Sequence, residues 1–348
     1  MKGAVIMALK KIYLENFTVF DKLEVEFSDG INVFIGENGT GKTHIIKLLY
    51  AACQAAQVKR TAIDFQTKVV KVFRPDESSL LRLARRGVGA SNASVRISSE
   101  KSKLSLSFHS KFKRNVTVTG IDKWEKEFSE LSSIFIPAKE ILSHSKNLIH
   151  AINAGNVDFD DTYKDIISAA SVDISRGPNN ERKRRYLQRL QTITQGKVKI
   201  ENEEFYLLPT GKSQSKLEFQ LVAEGLRKIA LLWQLIKNGT LERGSILFWD
   251  EPEANINPRN IPAIVDLLLD LQADGVQIFL ATHDYFLAKY LEIKSYNDNL
   301  IKFHSLYKID DSNNIGYECA EKFTSLENNS IIAEQFNIYH EEVKKVID

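Results

Sequence analysis

Cysteine is almost missing from this 348-residue chain, which carries only Cys53 and Cys319. Two cysteines in no C-x-x-C spacing exclude a disulfide framework and a thiolate metal site, and a reducing, cytoplasmic setting is expected. No apolar run is long enough to cross a bilayer, so no membrane partner is expected. The opening MKGAVIMALKKIYLENF has a short apolar patch but neither the core nor the cleavage site of a signal peptide, and Met7 offers an alternative start. Charge of one sign is also lacking. Lys and Arg number 47 against 45 Asp and Glu, a net +2, so any nucleic-acid contact has to come from a local patch. What remains is an ordinary globular composition, 43% hydrophobic and 26% charged. It is long enough for one large α/β domain with insertions, or for two domains.

The strongest local pattern is INVFIGENGTGKTHIIKLLYAA. Ile31 to Ile35 reads as a short buried strand, and Lys42 to Ala52 as a helix. Between them Gly36, Gly41, Lys42 and Thr43 fit G-x-x-x-x-G-K-[ST], with Glu37, Asn38, Gly39 and Thr40 filling the loop. Such a loop turns its N–H groups toward phosphate oxygens, and the helix N-terminus adds partial positive charge. Lys42 is then expected to reach the β- and γ-phosphates of ATP, and the Thr43 hydroxyl to ligate Mg²⁺.

A second strand-like run, Ile246 to Trp249, ends in Asp250 and Glu251 and is bounded by Gly244 and Pro252. A solvated acidic loop needs no such apolar lead. Carboxylates at the carboxyl end of a buried strand lie where open α/β sheets bind ligands. The expectation is that Asp250 holds the Mg²⁺ shell and that Glu251 is general base toward a water attacking the γ-phosphate.

Three further stretches resemble a known family. DEPEANINP has the spacing of the D-E-P-T-S-A-L-D-P segment of ABC-type ATPases. IFLATHD, Ile278 to Asp284, is a second buried strand, and the resemblance implies that His283 is the switch histidine that bonds the γ-phosphate. LVAEGLRKIALLWQLI, Leu221 to Ile236, stands where ABC ATPases carry the L-S-G-G-Q signature. The serine is lost, and Glu224 and Gly225 are the residues left to face a partner's ATP. Arg227 and Lys228 add charge, with Ile229, Leu232 and Ile236 turned inward.

The opening LKKIYLENFTVFDKLEVEFSDGINVFIGENGTGKT resembles the SMC-like and RecF-like branch. The chain as a whole is similar to stand-alone AAA/ABC-type ATPases related to the ATPase half of overcoming-lysogenization-defect proteins. VFRPDESSLLRLARRG and IFIPAKEIL resemble lid segments of that group, with Lys139 or Glu140 in place of the glutamine loop. The implied fold is an α/β phosphate-loop NTPase of ABC type: a mixed, largely parallel central sheet, an N-terminal antiparallel lobe and a helical lid insert. Expected boundaries are 1–60 for the N-terminal half of the ATPase domain, 61–215 for the lid and 216–348 for the C-terminal half.

The resemblance further implies a head-to-tail homodimer with two ATPs at the interface. Such ATPases sit in bacterial anti-phage or DNA-repair operons. The first setting implies a regulatory ATPase acting on a separate effector, and the second a RecF-like DNA-dependent ATPase. A transporter ATPase is the remote third reading.

Elsewhere, ASVRISSEKSKLSLSFHSKFKRNVTVTG alternates with period two and reads as antiparallel strands of a lid sheet, followed by helices from Lys139 to about Gln195. The insert is too short and too poor in heptads for a coiled-coil arm. Arg182, Lys183, Arg184, Arg185 and Arg189 lie on one helical segment, and with Lys68, Lys71, Arg74, Arg82, Arg85 and Arg86 they suggest a basic surface for nucleic acid. The alternative is a solvated face, or pairing with acids such as Asp158, Asp160 and Asp161. Near the C-terminus Ile332, Phe336, Tyr339, Val343 and Val346 alternate at four and three, a pattern expected to dock on the core rather than on a partner. No nuclease, protease or transferase constellation is legible.

Overall fold

The computed structural model describes residues 7–57, 63–87, 91–112, 115–154, 159–174, 179–201, 204–211, 215–295, 300–309 and 314–347. Its centre is a six-stranded sheet in the order β14-β13-β3-β12-β11-β7. The strands are β3 (Ile31–Gly36), β7 (Ser133–Ile136), β11 (Ile246–Asp250), β12 (Gln277–Ala281), β13 (Ile301–Lys308) and β14 (Ile315–Ala320). All neighbours pair parallel except β13 with β14, so the sheet is mixed and largely parallel.

The apolar runs of β3, β11 and β12 have no polar face because both faces are covered. Leu247 and Trp249 point into one hydrophobic cluster and Ile246 and Phe248 into another. Ile278 and Leu280 separate from Phe279 and Ala281 in the same way. Burying a side chain of this size contributes roughly 2–3 kcal/mol, which holds the strands in register.

The N-terminal lobe is a second sheet, β2-β1-β4-β5-β6, antiparallel throughout. It contains β1 (Leu9–Phe17), β2 (Phe20–Glu26), β4 (Asn92–Ser99), β5 (Lys103–His109) and β6 (Val116–Thr119). The period-two segment read as a lid sheet is therefore an extension of the lobe, with Val95 opposite Leu14 and Ile97 opposite Ile12. Alternation fixes which face of a strand is buried, and nothing in it names the neighbour. The buried Gln277 ties the two sheets: its amide nitrogen donates to Leu9 O at 2.9 Å and Ser28 O at 2.8 Å, and its oxygen accepts from Leu9 N.

Helices α1 (Lys42–Ala55) and α2 (Phe65–Phe73) pack with the lobe side, and α3 (Ile121–Phe128) anchors there through Trp124 Nε1, which donates to Ala52 O at 2.9 Å. The insert adds α4 (Ser145–Asn153), α5 (Asp161–Ala170) and α6 (Glu181–Thr194), then a small sheet of β8 (Gly196–Glu201), β9 (Glu204–Pro209) and β10 (Leu217–Glu218). Next come α7 (Glu224–Asn238), α8 (Ile261–Ala273), α9 (Tyr285–Lys294) and α10 (Ser330–Ile347).

Helix α10 departs from expectation. Ile331 and Ile332 pack on the core, but Phe336 is 59% exposed, Tyr339 62% and Val346 86%. Only its first turn docks. Among the described residues no helix is long and apolar enough to cross a membrane.

Candidate active site

Register brings three loops to one edge. Phe34 of β3 and Asp250 of β11 both sit opposite Ala281 of β12, so the loops after all three strands leave at their carboxyl ends. There the Thr43 hydroxyl donates to Asp250, 3.1 Å from each carboxylate oxygen, across 207 residues of sequence. The two residues expected to share a metal do meet.

The phosphate loop is wrapped tightly. Gly41 caps α1 with φ of 93°, and a Cβ there would run into the rings and methyls of Phe20 and Val19 in the β1–β2 turn. Thr40 is fully buried and donates to Glu37 O at 2.9 Å. Lys42 Nζ folds back onto the loop, donating to Gly36 O at 2.5 Å and Glu37 O at 2.8 Å. Burial lowers the Lys42 pKa, opposed by Asp250, Glu251, Glu253 and Glu37. Glu37, Asn38 and Gly39 are exposed at the loop's crest, where Glu37 pairs with Lys308 at 3.3 Å.

Burial pushes the Asp250 carboxyl up to about 6, with Thr43 pulling it down and Glu251 reinforcing the rise. Glu251 has φ of 47°, its N–H donates to Ala281 O at 2.8 Å, and its carboxylate lies 3.5 Å from His283 Nδ1. Both side chains are part-exposed, at 37% and 53%. Sequence reasoning missed Glu253. It accepts from the Thr282 hydroxyl at 2.7 Å, its other oxygen is buried without a partner among the described residues, and burial raises its pKa. Thr282 in turn accepts from Asp284 N at 3.0 Å, and Asp284 caps α9 through Leu287 N at 2.7 Å. This chain of bonds fixes the segment that carries His283.

Glu224 and Gly225 open α7, whose cap residue Ala223 supplies no side-chain bond. Gly225 does have a reason to be glycine within its own subunit, since a Cβ there would overlap the carbonyl of Asn255. Of the glutamine-loop candidates, Lys139 is exposed, whereas the buried Glu140 pairs with Arg227 at 3.2 Å and accepts from Ser143 Oγ at 3.0 Å.

A cavity of about 510 Å³ adjoins Gly39, lined by Thr18, Val19, His44, Phe73, Arg82 and Arg86 among others. Thr18 Oγ1 and His44 Nδ1 are buried there without hydrogen-bond partners among the described residues. Burial lowers the His44 pKa to about 4, so the ring is neutral at pH 7. No motif marks these residues. Only the β1–β2 turn folding over the loop brings them together.

The basic surface divides: Lys71, Arg74, Arg82, Arg86 and Arg184 are exposed, whereas others are paired with acids. Lys68 is 1% exposed and pairs with Asp161 at 3.1 Å and Asp165 at 2.6 Å. Arg189 and Arg185 pair with Asp270 at 2.9 and 3.8 Å, and Arg182 with Asp274. Lys183 is half-buried, with its pKa lowered by burial. The α6 arginines thus meet Asp270 of α8 and Asp274 just past its end, whereas Asp161, one of the acids named from the sequence, does pair with Lys68. Asp160 pairs with Lys47 at 2.6 Å, and Asp158 lies outside the described residues.

Comparison with known proteins points to an ATPase. Residues 7–170 match the family model "AAA ATPase domain", and residues 156–289 match "AAA domain, putative AbiEii toxin, Type IV TA system". A DNA replication and repair protein RecF from Clostridium botulinum is 41% identical over 58 residues, 17% of this chain and 16% of that protein. The match thus spans about a sixth of the relative's length. The fold is similar to an SMC head solved with the C-terminal winged-helix domain of ScpA, with TM-score 0.56 and 13% identity over 90% of this chain and 97% of that one. It is also similar to the Smc head from Pyrococcus furiosus solved with the C-terminal domain of ScpA, with TM-score 0.57 and 11% identity over 97% and 100%.

Proposed function

We propose that this chain, an SMC/RecF-like ATPase of the AAA/ABC type, works as a Mg²⁺-dependent, nucleotide-gated dimer that controls a separate effector in a bacterial anti-phage system. The observation that carries the site chemistry is the Thr43–Asp250 contact beside Lys42 and the Glu251–His283 pair. The donors fit the metal. A hydroxyl and a carboxylate are hard oxygen ligands, and a desolvated carboxyl displaced to about 6 gains from a nearby cation. Bound there, Mg²⁺ would neutralise phosphate charge.

Each side chain then has one task. Lys42 exchanges its bonds to Gly36 and Glu37 carbonyls for phosphate oxygens. Glu251 takes the proton of the attacking water, and His283 orients the γ-phosphate beside it. The cavity at Thr18, His44 and Phe73 receives the nucleoside end. In a head-to-tail dimer the bare N-terminus of α7 at Glu224–Gly225 offers its N–H groups to the partner's ATP. Hydrolysis loosens that dimer, and the effector responds to the change of state. The defence setting is supported by the toxin-system description of the second family model. A RecF-like role on DNA is the second reading, favoured by Arg182, Arg184 and Arg185, which stay exposed on α6 although Asp274 and Asp270 pair with the first and third.

Glu251→Gln tests the reading. The variant should bind ATP, lose turnover by roughly 10²-fold or more and accumulate as an ATP-bound dimer by light scattering. Normal turnover would remove Glu251 as the base. A strong, salt-sensitive stimulation of the wild-type chain by duplex DNA would favour the repair reading instead.

A further inference from the structure

Lys228 is buried to 1% exposure one turn into α7, a position where an ammonium group is costly. Its Nζ donates to the carbonyl oxygen of Glu251 at 3.4 Å. Glu251 itself adopts a left-handed backbone, φ 47°, which a residue with a Cβ leaves unless its surroundings hold it. Three contacts do so: its N–H to Ala281 O at 2.8 Å, its carbonyl accepting from Ala254 N at 3.1 Å, and the lysine. One turn earlier on the helix, Gly225 abuts the Asn255 carbonyl. The start of α7 therefore meets the acidic loop of its own subunit at two points.

We infer that Lys228 is a positioning residue for ATP hydrolysis: its amine pins the Glu251 carbonyl and fixes the bend that sets the Glu251 carboxylate beside His283. This deepens the reading above and rests on Glu251 being the base. A structural role alone does not call for an amine, because an apolar side chain of the same length fills the space without desolvating a charge. Glu224, Glu253, Glu251 and Asp250 all lie near enough to favour the charged form, and burial still lowers the lysine's pKa. The amine is retained against that desolvation, at the one carbonyl whose conformation aims the catalytic carboxylate.

The test is a double-mutant cycle on the purified full-length chain. Lys228→Met keeps length and volume. It should lower kcat roughly 10- to 100-fold, the scale of a small misplacement of a reacting group, while KM for ATP and the melting temperature stay close to wild type. In the Glu251→Gln background, single-turnover rates should show no further loss from Lys228→Met, because both changes remove the same function. Multiplied losses, or a parallel rise in KM, would overturn the proposal. So would full turnover by Lys228→Met. If Lys228→Met does not fold, Lys228→Gln carries the same cycle. Failure of Glu251→Gln alone to reduce turnover would instead strike the assignment of the base, so the two failures are distinguishable.

Discussion

Asp250→Asn separates stability from activity with a predictable sign. In the metal-free protein the Asp250 carboxyl sits at about 6, roughly two units above an ordinary aspartate, and each unit corresponds to about 1.4 kcal/mol. Because the folded-state value is raised, the ionised carboxylate opposes folding. By linkage that penalty is fully present above about pH 6, shrinks as pH falls toward 4 and is gone below it. At pH 8 it amounts to roughly 3 kcal/mol.

An amide of the same shape keeps a polar contact to Thr43 and carries no charge. After about 1 kcal/mol for desolvating the amide, the variant should be more stable than the wild type by roughly 2 kcal/mol in EDTA at pH 8. Urea denaturation at pH 8 and pH 5 measures this directly, and the gap should close at the lower pH. In Mg²⁺ and ATP the order reverses: the wild type gains stability by binding, and the variant gains little and does not hydrolyse. A gap that is independent of pH, or a variant less stable than wild type in EDTA at pH 8, would refute the reasoning.

Two further outcomes follow from burial. Lys68→Met leaves Asp161 and Asp165 facing a lost cation and should destabilise the fold by roughly 3–5 kcal/mol in urea; a loss below about 1 kcal/mol would mean that these carboxylates are better hydrated than the packing of α2 against α5 implies. Gly225→Ala forces either α7 or the Asn255 carbonyl to move, so a stability loss of about 1–3 kcal/mol with reduced turnover is expected, and an unchanged melting temperature with full activity would show that the contact is not made.

Much of the candidate site was legible because its parts are local. A phosphate loop is eight consecutive residues, Gly36 to Thr43, and its geometry follows from glycine placement and the strand–helix junction. The buried strands ending in Asp250 and in Ala281 before Thr282 announced themselves as uninterrupted apolar runs. Charged residues read poorly by comparison. Lys68, a surface cation by residue type, is a buried ion-pair member, and arginines of α6 face aspartates some 80 to 90 positions away in sequence. Helix α10 carries a seam that sequence periodicity assigns to a core, yet most of it faces solvent.

The sequence by itself therefore determined the groups on offer: a glycine-rich loop opening a helix, two adjacent acids at the end of a buried strand, and strands buried on both faces. Those properties depend on residue type and on spacing within one turn or one strand, where the chain has few alternatives. Only the tertiary structure decided which strands adjoin, that Lys228 reaches the Glu251 carbonyl, that Glu253 locks Thr282, and which carboxylates pair with the arginines of α6. A cation's partner is set by whatever surface folds against it, and Coulomb attraction carries no record of sequence separation.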